Sequence, residues 1–200
     1  MAKHFSQPGE VTIGGLANDD TPRHAKLDTT THTLQTIDYA HHEVHAGSHF
    51  YLTYPFTLTG TTDTQEFFLV TPNLDAWPHM LWNMTGSAIT EIYVYEDTEL
   101  TPTTDAIETL NNNRNSTDSA GLAVFLGAAS GGDSSTDTGT LVWHHKSGAS
   151  SNQSRASMTA RNDEEIILKQ DTVYRVRFIT GTAANLCNLR LEWYEHTNKS

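Results

Sequence analysis

Hydrophobic and polar positions alternate along much of the chain from His49 onward, and a period of two is typical of β-strands with one buried face. In this first segment every second position is apolar: Phe50, Leu52, Tyr54, Phe56 and Leu58. Pro55 lies on the opposite, mostly polar side. Because proline has no N–H to donate to a neighbouring strand, it predicts an edge strand or a bulge.

The C-terminal part of the chain repeats this alternation in two segments. Tyr174, Val176 and Phe178 alternate with arginines. After the short loop 181–184, a second series occupies every other position: Leu189, Leu191 and Trp193. Because the connection is short, the sequence predicts two adjacent antiparallel strands that face the same core as Phe50, Leu52 and Tyr54.

Further strands are expected between these segments, at 66–71, 79–84, 88–96, 121–127 and 140–146. The connection Thr85-Gly86-Ser87 is short enough to predict a hairpin. About eight to ten strands at spacings of about 10–15 residues indicate an all-β fold, either an antiparallel β-sandwich of the jelly-roll-like kind or a barrel. No segment supports a long amphipathic helix.

Residues 1–46 sustain neither a strand nor a helix period and contain few apolar residues. We predict that they form an extended N-terminal arm, which orders only against a partner or against the flank of the body. The body is then residues 47–200. The alternative is a terminus without a role.

Charge and cysteine content narrow the classes of function. The chain has 24 acidic and 12 basic residues and a net charge of −12, which disfavours binding to nucleic acid or to anionic membranes. Its one cysteine, Cys187, excludes an internal disulfide and suits a reducing cytoplasm. Neither a signal peptide nor an apolar run of membrane-spanning length is recognisable in the sequence.

Four histidines, His41, His42, His45 and His49, fall close together and are the main candidates for metal ligands. His41 and His45 have the spacing of a zinc-binding helix, but residue 42 is not the required glutamate, and no helix is expected there. We therefore predict a solvated junction without metal. Metal binding and a pH-responsive contact are the alternatives.

Catalytic patterns are missing from the sequence, so we expect a protein that is not an enzyme and has no cofactor. No nucleophile elbow or phosphate-binding loop occurs. Carboxylates at 163–165 and at Glu192 and Glu195 are attributed to chance, and Cys187 to structure. The aromatic residues could form a sugar-stacking face or belong to the core; Trp77, beside Pro78, is predicted to lie in an exposed loop.

Four stretches are similar to one protein group: Asn111–Ser116, Gly139–Trp143, Arg161–Lys169 and Leu191–Asn198. Together they resemble small virion proteins of tailed phages, of the capsid-decoration or auxiliary (cement) type, over about residues 45–198. The resemblance implies a β-rich homotrimer on the outside of a capsid, assembled in the host cytoplasm and carried in the virion. It transfers no catalytic, cofactor-binding or metal residue.

The sequence therefore predicts a non-enzymatic capsid decoration protein that stabilises a phage head by bridging subunits of the major capsid protein, without nucleic acid or membrane partners. The first alternative is a phage tail or fibre component that binds a host-surface glycan. The second is an enzyme acting on glycans, which the missing catalytic constellation disfavours.

Overall fold

The computed structural model describes residues 14–16, 22–24, 39–100, 102, 104–127, 130–131, 139–148 and 165–197. The chain forms two compact units, Met1–Tyr39 and Ala40–Ser200. In the first unit, strand β1 (Gly14–Leu16) pairs antiparallel with β2 (Pro22–His24). The rest of the predicted arm before residue 39 lies outside the described residues.

The end of the predicted arm is a helix, α1 (Tyr39–Ala46), so the expectation of no helix around the histidines is wrong. The helix ends at Ala46 and is followed by Gly47, whose φ of 80° favours glycine. The backbone N–H of Gly47 donates to Val44 O at 3.2 Å, and Asn111 Nδ2 donates to Gly47 O at 2.7 Å. An eight-residue helix is marginal alone, so these contacts, and not an apolar period, account for it. No helix in the described part of the chain could span a membrane.

The second unit is built from antiparallel strands. Their bounds are β3 (His49–Leu58), β4 (Asp63–Val70), β5 (Ala76–Gly86), β6 (Thr90–Glu96), β7 (Ala106–Ile107), β8 (Leu110–Asn111), β9 (Ala123–Leu126), β10 (Ser130–Gly131), β11 (Thr140–Ser147), β12 (Ile166–Ile167), β13 (Val173–Thr180) and β14 (Asn185–Thr197). The predicted strands at 49–59, 66–71 and 140–146 are confirmed as β3, β4 and β11.

Within the described residues these strands form two sheets. The front sheet has the order β12-β5-β14-β3-β8, and the back sheet has the order β11-β6-β13-β4-β9-β7, with β10 also paired to β4. Setting aside β7 to β10 and keeping the two-residue strand β12, the remaining eight strands can be numbered 1 to 8 along the chain. The sheets then read 6-3-8-1 and 5-4-7-2, which is the strand order of a jelly roll. The predicted antiparallel β-sandwich is confirmed.

The core lies between the two sheets and contains the predicted residues. Buried members from the front sheet include Phe50, Leu52, Trp82, Leu189, Leu191 and Trp193, and those from the back sheet include Phe67, Ile92, Val94, Val176 and Phe178. Tyr54 and Phe56 are partly buried and pack against it. Period-two alternation therefore identified which side chains face inward.

Two predicted strand pairings are wrong. The connections 85–87 and 181–184 do not make hairpins, because β5 and β14 belong to the front sheet and β6 and β13 to the back sheet. Both segments cross from one sheet to the other. A hairpin and such a crossing have the same inward alternation, so the apolar pattern does not distinguish them.

Asn185 joins these two crossings where they lie side by side. It is fully buried, and its Oδ1 accepts from Ser87 Oγ at 3.2 Å and from Ala88 N at 3.0 Å. Its Nδ2 donates to Thr90 Oγ1 at 2.8 Å and to Thr180 Oγ1 at 3.0 Å. One amide therefore ties both sheets together at this end of the sandwich.

The edge of the front sheet at β3 agrees with the prediction from Pro55. Strand β3 pairs with β14 along its whole length, including Pro55 with Asn188. On its other side, among the described residues, it pairs with β8 only at Phe50 and Tyr51. Pro55 thus lies in the part of β3 that has one described neighbour, which is where proline is tolerated in a sheet.

Candidate functional site

The four candidate metal ligands are not brought together. His41 and His45 lie one turn apart on α1, with Nε2 atoms 3.0 Å apart, and both are exposed. His42 Nδ1 lies 3.5 Å from Glu43 Oε1. His49 begins β3 and is buried. No group of three or more potential metal-binding side chains occurs in the part of the chain that the structure describes.

His49 belongs instead to an aromatic row on the outer face of the front sheet. Its ring stacks on Tyr194 at a centroid distance of 6.4 Å, and Tyr194 stacks on His79 at 4.6 Å. His196 meets His79 edge-on at 6.4 Å. Register explains the row, because Tyr194 of β14 pairs with His49 of β3 on one side and with His79 of β5 on the other.

Glu165 fixes one end of this row. Its Oε1 accepts from the Tyr194 hydroxyl at 2.8 Å and lies 2.8 Å from His79 Nδ1. A carboxylate at Nδ1 sets the tautomer of an imidazole and could make it a base. The contacts described for His79 include no serine or cysteine that such a base would activate, so we interpret the pair as structural.

Burial lowers the pKa of His49 below its ordinary value of 6.5, while the carboxylates of Glu192 and Glu43 partly oppose this shift. Asn112 Nδ2 lies 2.6 Å from His49 Nδ1, a contact in which the amide donates to a neutral imidazole. His49 therefore binds a proton less readily in the folded state than in the unfolded state. As the pH falls below 6.5, protonation of the unfolded state lowers the stability of the fold.

We expect the urea midpoint of unfolding to fall more steeply between pH 7.5 and pH 5.0 in the native sequence than in a His49→Phe variant. Phenylalanine keeps a ring to stack on Tyr194 but cannot take up a proton. Thr57→Ser, at an exposed position of the same strand, is the control and should leave the slope unchanged because it changes no titratable group. Identical slopes for the native and His49→Phe proteins would contradict this assignment.

The asparagine run that contributed to the phage resemblance has a structural role. Asn111 Nδ2 donates to Gly47 O and, at 3.2 Å, to Asp118 O. Asn113 Nδ2 donates to the carbonyl of His45 at 3.4 Å, close to the end of α1. This run therefore caps the helix and holds it to the start of β3.

The outer face of the back sheet carries a buried ionic group. Arg175 and Arg177 point away from the core and are only 1% and 2% exposed. Arg175 forms an ion pair with Glu66, and Arg177 Nε lies 3.6 Å from the same carboxylate. At the margin, Tyr93 stacks on His144 at 4.3 Å, and its hydrogen bond to Glu91 raises the pKa of Tyr93 to about 12. These side chains stabilise one another across neighbouring strands.

The other residues considered as catalytic candidates also make structural contacts. Burial raises the pKa of Cys187 to about 12, which keeps the thiol protonated and unreactive. Glu195 accepts from the backbone N–H groups of Gly121 and Leu122 at 2.8 and 2.9 Å, and Glu192 pairs with Arg190. Asp163 and Glu164 lie outside the described residues.

Trp77 lies at a pocket, although its predicted position was wrong. It is in strand β5, not in a loop, and it is half-buried. The pocket is open, has a volume of about 570 Å³ and is lined by Trp77, Ile167, Leu168, Lys169, Gln170 and Thr172. Sequence reasoning singled out Trp77 but missed the turn at 168–172, which the pairing of β12 and the hydrogen bond from Leu168 N to Pro78 O bring to β5.

Comparison with protein families, with curated proteins and with solved structures found no match to this chain.

Proposed function

We propose that this protein is a non-enzymatic structural protein of a tailed-phage particle, a capsid decoration protein that binds the major capsid protein and bridges neighbouring subunits. The observation that supports the proposal best is the jelly-roll strand order, an architecture used by viral capsid domains. Fold alone does not determine function, so the proposal also depends on what the polar side chains do.

Several polar side chains among the described residues hold the sandwich together. Asn185 joins the crossings between the sheets, Glu195 binds two loop amides and Asn111 caps α1. Thr71, almost fully buried, donates to Lys169 O at 2.7 Å. This use of polar groups favours a protein whose task is to be stable and to present its outer surface to a partner.

Attachment to a shell would follow from many weak contacts acting together. A trimer presents each contact three times, and the N-terminal unit of each subunit adds further contacts. We propose a homotrimer in which residues 1–38 contribute to contacts with adjacent chains.

The test is a deletion of residues 1–38, which leaves α1 and its cap at Gly47 intact. We expect this variant to remain folded but to lose trimer mass, measured by light scattering, and to lose at least tenfold in affinity for heads assembled without the protein. Leu186→Ser, at a residue that is 64% exposed in the body, is the matched control. If the shortened chain keeps both full mass and full attachment, the N-terminal segment has no role in assembly.

A further inference from the structure

The Trp77 pocket combines an aromatic wall, an aliphatic floor and polar groups at its rim. Trp77 and Ile167 supply apolar surface, and Ile167 is 51% exposed. Leu168, which also lines the pocket, is 1% exposed and anchors it to the core. Gln170 and Thr172 add amide and hydroxyl groups. A volume of about 570 Å³ lies within the range of small-molecule sites.

Hydrogen bonds position the walls of the pocket. Trp77 Nε1 donates to Gln170 Oε1 at 3.3 Å, which fixes the indole relative to the turn. The turn itself is tied to the body, because Leu168 N donates to Pro78 O at 2.9 Å and Asp171 N donates to Pro72 O at 3.2 Å. Such preorganisation lowers the entropy cost of binding.

The lining of the pocket offers little positive charge to an anionic ligand. The only cation among its lining residues, Lys169, is ion-paired with Glu96. Asp171 lies within the same turn, and the chain as a whole carries a net charge of −12. An uncharged ligand meets no such repulsion.

We propose that this pocket is a binding site for a neutral saccharide, with the apolar face of one pyranose ring stacked on Trp77. The rings of sugars present C–H groups on one face and hydroxyl groups at the edge. The C–H groups would contact the indole and Ile167, and the hydroxyl groups would form hydrogen bonds with the side chains of Gln170 and Thr172. This site is independent of the proposed attachment to a capsid.

The test uses the full chain and neutral disaccharides as probes: lactose, maltose, cellobiose and diacetylchitobiose, with sialyllactose as the anionic comparison. The readout is the NMR signal of the Trp77 indole N–H, assigned by its disappearance in Trp77→Phe. Trp82 and Trp193, almost fully buried in the core, serve as internal references. We expect at least one neutral disaccharide to shift the Trp77 signal with a Kd on the order of 1 mM, and sialyllactose to bind more weakly.

Substitutions at Trp77 distinguish a loss of sugar binding from a loss of folding. Measured by calorimetry, Trp77→Ala should weaken the binding of that disaccharide at least tenfold, whereas Trp77→Phe, which keeps an aromatic face, should weaken it less. Leu186→Ala at the exposed end of β14 should have no effect. The proposal is overturned if no neutral disaccharide at 20 mM shifts the Trp77 signal of the folded native protein. It is also overturned if Trp77→Ala, shown to be folded by circular dichroism, binds the sugar unchanged.

Discussion

Replacing Glu66 by glutamine is expected to lower the free energy of unfolding by about 3–5 kcal/mol. Glutamine keeps the shape of the side chain but removes its charge, and both Arg175 and Arg177 then lose the carboxylate that lies beside their buried guanidinium groups. A buried cation does not regain the solvation it had in water when a carboxylate beside it is replaced by a neutral amide. Urea unfolding at pH 7 measures the effect.

Glu91→Gln is the matched control for this prediction. It removes a carboxylate from the same outer face, where Glu91 pairs with a Lys146 side chain that is 62% exposed. Solvent screens that pair, so we expect a loss under about 1 kcal/mol, and high salt should reduce it further. Equal losses for the two variants would show that the Glu66 group is no more than a surface ion pair.

Phe178→Ala is expected to destabilise the fold by about 3–5 kcal/mol, the range for a fully buried phenylalanine. Phe178 of the back sheet meets Phe56 of the front sheet edge-on at a centroid distance of 5.1 Å and Phe67 at 6.0 Å. Its removal leaves a cavity between the sheets and breaks aromatic contacts on both sides. Urea unfolding at pH 7 measures this loss of stability.

Leu141→Ala, at a residue that is 49% exposed on β11, is the control for Phe178→Ala and should change stability by less than about 0.5 kcal/mol. The loss of stability for Phe178→Leu should fall between the losses for Phe178→Ala and Leu141→Ala, since leucine retains part of the buried volume. A loss below about 1 kcal/mol for Phe178→Ala would mean that the two sheets do not pack through this aromatic group.

The sequence predicted which residues form strands and which side chains face the core, but not how the strands pair. Alternation along β13 and β14 identifies an inward face, and that face is the same whether the strands are neighbours or lie in opposite sheets. The crossings at 85–87 and 181–184 are determined by contacts such as those of Asn185, whose partners are as many as 98 positions away in the sequence.

The surroundings of the candidate residues were less predictable for the same reason. His49, Tyr194 and Glu165 meet only after β3, β14 and the start of β12 are placed side by side. Helix α1 depends on asparagines from a distant loop and has no apolar period of its own. The spacing of His41 and His45 therefore suggested a helix that the apolar pattern did not support. Trp77 could be singled out from composition, but its pocket could not, because the turn at 168–172 comes from the other end of the chain.

The proposal that this chain is a capsid decoration protein requires a tailed phage as its source, and it is tested most directly by the copy number of the chain in purified particles of such a phage. Quantitative mass spectrometry, with the major capsid protein as the internal standard, gives that number. The proposal predicts hundreds of copies per particle, in a fixed ratio to the major capsid protein. A handful of copies would indicate a tail or fibre component instead, and absence from the particle would contradict a structural role in the virion.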